Sequence, residues 1–168
     1  MDLNSIIEKA KHSKFQLKLF NMGLNRMIPF NRPHGFKVVE IADVKIRTCL
    51  PYKKKNLNHI KGLHACALAT LCEFTTGLYL ISKMGFTEYR IILNNLSIDY
   101  QYQGKTDVFA EFSLSDKWIE ENIVEPLKSE ESVLINCPVE IFDTNENLVC
   151  SAMVEWQLKE WKKVKTKV

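Results

Sequence analysis

Glu73 is the residue in this chain best placed to do chemistry. It lies near the middle of Asn58–Lys83, NHIKGLHACALATLCEFTTGLYLISK, whose apolar body holds no proline and only one further charge, Lys83. An ionisable group in the middle of a buried helix is usually either paired or used. Apolar surroundings favour the neutral form of a carboxyl and raise its pKa towards that of a useful base. Such a group deprotonates water or attacks directly, and the residues alone do not decide between the two. A structural role would need partners, for which Thr70 and Thr76 are the neighbours at hand. Asn58, Gly62 and His64 precede the apolar body. Near His64 and Ala65 the first amides of a helix are unpaired donors at the positive end of its dipole, suited to polarising a carbonyl. Asn58 reads equally well as a turn or cap residue, and His64 as a ring bonded to backbone.

The run of about twenty residues after His64 would form a helix that spans about 30 Å and is apolar round most of its circumference, which predicts burial on all sides. One face reads Ala67, Leu71, Phe74, Leu78, Ile81; the adjoining face, Ala69, Thr70, Glu73, Thr76, Gly77, is small and polar. Residues 2–28 are helical in pattern, with stripes at Leu3, Ile6, Ile7, Ala10 and at Leu17, Phe20, Leu24, and lysines between them. This arm covers a sheet edge or a substrate tunnel, with a membrane-surface amphipathic helix as the minor alternative. Pro29, Asn31, Pro33 and Gly35 end it. Phe36–Leu50 reads as a strand and Pro51–Asn58 as a polar loop. After the long helix come strands at Tyr89–Gln101, Thr106–Leu114, 133–141 and 148–158. Ser115 caps a short helix ending near Pro126, and Asp143–Asn147 is a hairpin turn. Four strands joined by short connections favour antiparallel pairing, and a helix apolar all round needs a sheet that curls about it.

At 168 residues, 46% hydrophobic and 26% charged, the chain has the composition of one globular domain. A net charge of +3 is too mild to argue for nucleic acid. Cys49, Cys66, Cys72, Cys137 and Cys150 are an odd set without metal-binding spacing, so no metal is expected and the thiols read as small hydrophobes. A reducing, cytoplasmic setting fits them. The beginning, MDLNSIIEKAK, lacks the order of a signal peptide, and no stable membrane insertion is expected. The basic tail, Lys159–Lys167, reads as solubilising.

The order of elements resembles the α+β hotdog fold: a long central helix wrapped by a curved antiparallel sheet, here with an N-terminal helical extension. Within that fold the chain looks like the thioesterase-like family, in particular the phenylacetate-pathway-type acyl-CoA thioesterases and their relatives with a helical arm. The residues that carry the resemblance are Asn58, Gly62, His64 and Glu73. It divides the single domain into an arm at 1–35, a hotdog core at 36–160 and a tail at 161–168. It implies hydrolysis of an acyl-CoA or acyl-carrier thioester, with Glu73, Asn58 and His64 catalytic. Gly62, Ala65, His59, Lys61 and Asn95 would meet the substrate. No cofactor is implied beyond the coenzyme A of the substrate, whose phosphates Lys53, Lys54, Lys55, Lys61 and Arg90 would attract. The site would lie between the two helices of a homodimer, with stacking into tetramers as a further assembly. Small residues Ala69, Thr70 and Gly77 would let the helices approach.

Two departures from the family pattern stand out. Ala65-Cys66 replace a Gly-Gly pair after His64, and Leu93 falls where some relatives carry a hydroxyl; Asn94 and Asn95 are the nearest substitutes. A silent acyl-binding or structural dimer therefore stays open. So does a hydroxyacyl-thioester dehydratase, since His59 precedes Glu73 by fourteen residues, although the surrounding prolines and glycines of that motif are absent.

Overall fold

The structure, a computed structural model, describes residues 3–165, with side chains from Ser5 onward. The Leu3 side chain, part of the sequence stripe, and the end of the basic tail from 166 on lie outside those descriptions. Strands β1 (Lys37–Ile41), β2 (Lys45–Leu50), β3 (Tyr89–Tyr100), β4 (Val108–Ser113), β5 (Val133–Asp143) and β6 (Leu148–Glu160) form one sheet in the order β1-β2-β4-β5-β6-β3. Every neighbouring pair is antiparallel. Helix α3 (Ala65–Met84) lies against the concave side, where Leu71, Cys72 and Leu80 are fully buried. It is long and apolar enough to cross a membrane, by length and composition, and 61% of that apolar window is buried inside the fold. This is the expected helix-in-sheet arrangement.

Two boundaries differ from the sequence reading. Phe36–Leu50 is not one strand but a hairpin of two, turned at Ala42–Val44, where the Ala42 amide donates to the Lys45 carbonyl (2.9 Å). Both halves alternate, and the turn Ala42-Asp43-Val44 contains neither Gly nor Pro to mark the break. The long helix begins at Ala65, where its first amides were expected, and the backbone from 58 to 63 is turned back on itself before it. The helix capped by Ser115 continues past Pro126: α4 (Asp116–Ile119) passes through a wider turn at Glu120–Val124 into α5 (Glu125–Ser129). The wider turn accommodates a proline that has no N–H to offer the preceding helical carbonyl.

Buried hydroxyls on α3 all have partners. Thr75 donates to the Leu71 carbonyl and meets Thr48 of β2 (2.6 Å). Tyr79 donates to the Leu114 carbonyl and accepts from the Leu114 amide. Thr76 donates to the Cys72 carbonyl and accepts from the Trp156 indole N–H (3.0 Å). The Trp156 ring lies so close that a Cβ at Gly77 would stand 2.7 Å from its Cη2 atom. Gly77 therefore makes room for a strand of its own sheet, not for a partner helix as the sequence suggested.

Helices α1 (Leu3–His12) and α2 (Lys14–Met27) form the arm, with Ile7, Ala10 and Phe20 buried. The arm closes a sheet edge. The Asn21 side chain accepts from the Val38 amide (2.7 Å) and donates to the Val38 carbonyl (2.9 Å), so its amide takes the place of a neighbouring strand on β1. At the other end of the chain the tail starts docked rather than solvated: Trp161 donates to the Phe86 carbonyl, and the Lys163 ammonium to the carbonyls of Leu127 and Glu130.

Asn21→Leu removes both bonds and leaves two backbone groups unpaired, at a cost of about 2 kcal/mol in urea unfolding. Gly77→Ala forces the Trp156 ring aside and costs about 1–3 kcal/mol, read as a lower midpoint with unchanged slope.

Candidate active site at the start of the central helix

The chain reaches α3 through a loop whose geometry is set by two asparagines. Asn58 Oδ1 accepts from the amides of Ile60 (3.1 Å) and Gly62 (3.0 Å), bending the backbone so that Lys61 adopts a left-handed φ of 60°. Its carbonyl-type oxygen is thus committed to the loop. Gly62 is buried, and a Cβ there would meet the Gln103 side chain at 2.6 Å. Lys61 and His59 project outward from the same loop. Asn56, which the sequence reading passed over, is 1% exposed and joins three segments. Its Nδ2 donates to the carbonyls of His34 and Pro51, and its backbone carbonyl accepts from the His64 amide. Asn56 Oδ1 can only accept, so His34, 3.0 Å away, donates through Nδ1. No periodicity marks either residue, and only their turn-rich neighbourhoods hinted at a role.

His64 is the N-cap of α3: its Nδ1 accepts from the Cys66 amide (3.1 Å), which leaves Nε2 carrying the proton and facing outward. Two of the amides expected to polarise a carbonyl are therefore taken, His64 by Asn56 and Cys66 by the His64 ring. Among the described residues the Ala65 amide has no partner, and it is the donor left at this helix end. Tyr100 of β3 reaches the same point, donating to the Ala65 carbonyl (3.1 Å).

A cavity of about 270 Å³ opens beside this end, lined by Phe30, His34, Phe36, Leu57, His64 and Thr70, with Lys55 at its margin. The aromatic rings of Phe30, His34, Phe36 and Phe74 follow one another at centroid distances of 5.5, 5.9 and 6.1 Å, from the arm's terminal turn to the body of α3. The arm thus contributes to a cavity wall as well as to the sheet edge.

Glu73 lies one helical turn beyond Thr70 on the side of α3 that is half-buried rather than enclosed. Burial on all sides, expected from the sequence, fails on this face, where Ala69, Thr70 and Glu73 keep partial exposure. Among the described residues its carboxylate has neither a hydrogen bond nor an ion pair; Thr70 and Thr76 spend their hydroxyls on the Cys66 and Cys72 carbonyls. Burial pushes the Glu73 carboxyl above its ordinary value. Asn95 is elsewhere, exposed beside the bulge between Leu93 and Asn95 on β3. The structure thus brings His64, Ala65 and the cavity together at the helix start, with Glu73 further along the same helix. His59, Lys61 and Asn95 stand outside that group. No cluster of three metal-ligating side chains occurs among the described residues.

The same architecture recurs in solved structures. The Pseudomonas aeruginosa protein PA5026, of unknown function and described as a probable thioesterase, superposes with a TM-score of 0.77 at 19% identity, covering 85% of this chain and 95% of its own. Thioesterase HI1161 of Haemophilus influenzae gives 0.67 at 11% identity over 88% and 93% of the two chains. A Chlorobaculum tepidum protein of unknown function, OLEI01261, gives 0.72 at 10% identity over 89% and 98%. No curated protein matches the sequence. Residues 17–158 match the family described as domain of unknown function DUF4442. The chain belongs to that family and shares the hotdog fold of these structures.

Proposed function

We propose that the protein hydrolyses an acyl thioester, carried by coenzyme A or an acyl-carrier protein, with water activated by Glu73. The observation that carries this reading is the Glu73 carboxylate, half-buried, raised in pKa by burial, and unpaired on a helix whose other polar side chains are bonded. A base held this way accepts a proton more readily than an exposed carboxylate. The Ala65 amide would polarise the thioester carbonyl at the positive end of the helix, and His64 Nε2–H would donate beside it. The aromatic cavity would take the acyl group, and Lys55 would meet a carrier phosphate.

The working unit in this proposal is a homodimer. Strand β3 is twelve residues long, pairs among the described residues only with β6, and exposes Ile92 and Leu93 beside its outer edge. An unprotected edge of that length is a template for another strand. Pairing two β3 edges would extend the sheet and set the half-buried faces around Glu73 opposite each other, completing a site one chain leaves open.

A second reading, an acyl-binding dimer without turnover, is favoured by the occupied His64 and Cys66 amides, which leave a sparse carbonyl-binding site. Acyl-CoAs of graded chain length with a thiol-trapping dye separate the two: turnover supports hydrolysis, whereas a raised melting temperature without turnover supports binding alone.

Glu73→Gln is expected to lower kcat at least about 100-fold. Stability should move the opposite way. A carboxyl whose pKa is raised in the folded state stabilises most when protonated, below its ordinary 4.5, and loses that contribution as pH rises through the folded value. The Gln variant should therefore melt above wild type at neutral pH, and the difference should vanish in acid. A destabilised variant at pH 7 would give Glu73 a structural role. Ile92→Lys with Leu93→Lys should convert a dimer to monomers in light scattering and remove turnover together with it.

A further inference from the structure

Helix α2 has two apolar faces, and the fold uses one. Phe20 is buried, and Leu17 and Leu24 pack beside it against the core. On the opposite side Phe15, Leu19 and Met22 repeat at intervals of four and three, 65%, 42% and 60% exposed, and Met27 at the last helical position and Phe30 just beyond it are exposed as well. Such spacing makes one continuous stripe along a helix. The charge around it has one sign. From Lys9 to Val39 there is no acidic residue, while Lys14, Lys18, Arg26 and Arg32 stand exposed around the stripe. Among the described residues none of these four enters an ion pair, although Lys11 nearby is bound to Glu8 and Asp43. Large exposed apolar side chains ringed by unpaired cations combine the two attractions that hold an interfacial helix: burial of apolar groups below the headgroups and attraction to anionic lipid.

We infer that the outer face of α2 docks reversibly on an anionic membrane surface, with Phe15, Leu19 and Met22 entering the headgroup boundary and Lys14, Lys18 and Arg26 meeting lipid phosphates and carboxylates. A bilayer fits better than a second copy of the chain, because two such faces brought together would place their cations against each other with no acid between them. The mode is peripheral, since α2 lies along the protein with its other face in the core. Phe30, exposed just beyond the helix end, also lines the cavity, so docking through α2 would bring the cavity mouth near the lipid.

The test is sedimentation of the full chain with phosphatidylcholine vesicles, with and without phosphatidylserine. Binding is expected only to the anionic vesicles, and it should weaken as salt is added. Lys14→Gln, Lys18→Gln and Arg26→Gln should each weaken partitioning roughly fivefold. A triple Phe15→Ser, Leu19→Gln, Met22→Gln variant should lose binding while keeping its oligomeric state, melting temperature and any thioesterase activity towards soluble substrate. Equal binding by the triple variant, or no binding by wild type, would overturn the inference. A drop in oligomeric state of the triple variant in light scattering would instead assign the stripe to a contact between copies and overturn it too.

Discussion

An apolar helix enclosed by a single sheet cannot carry polar groups without partners, and that constraint orders the rest of the molecule. The Thr75, Thr76 and Tyr79 hydroxyls each find a partner on α3 itself or on the surrounding elements. Each of these bonds fixes the helix against a particular element: Thr48 ties it to β2, Trp156 to β6, and the Leu114 backbone to the end of β4. Packing and hydrogen bonding therefore specify the same register, and the position of Glu73 along the helix follows from it. The carboxylate is conspicuous because it alone on this face is left without a bond.

The entrance to the helix obeys the same accounting with different means. Backbone donors at a helix start need acceptors, and the chain supplies them through the His64 ring and the Asn56 carbonyl. Asn56 also holds the arm's last turn and the end of β2, so one buried amide joins the arm, the sheet and the helix cap. A carbonyl-binding site built here has to use what this capping leaves over, which is the Ala65 amide. Stability and chemistry compete for the same few N–H groups.

The arm shows how one short helix satisfies two surfaces. Its inner side ends the sheet by offering Asn21 to Val38, where a further strand would otherwise pair. At the far end of the sheet, among the described residues, no side-chain amide covers β3 in this way. The two edges are thus treated differently, one blocked by a side-chain amide and the other open, and only the open edge can take part in assembly by strand pairing.

Much of this was legible from residue order. The alternation of β5 and β6, the unbroken apolar run of α3, the Ser115 cap and the turn at Asp143–Asn147 are local patterns whose physics lies in neighbouring residues, so the sequence alone determined them, and with them the helix-in-sheet architecture and the isolation of Glu73 among apolar residues. Contacts between distant residues were decided only by the tertiary structure. The split of Phe36–Leu50 into two strands, the Asn56–His34 clamp and the use of Gly77 by Trp156 each depend on which element lies opposite, and no local spacing encodes that. Glu73 joins the two levels: its place in the chain makes it unusual, while its half-buried, unbonded state exists because the folded sheet leaves that side of the helix open.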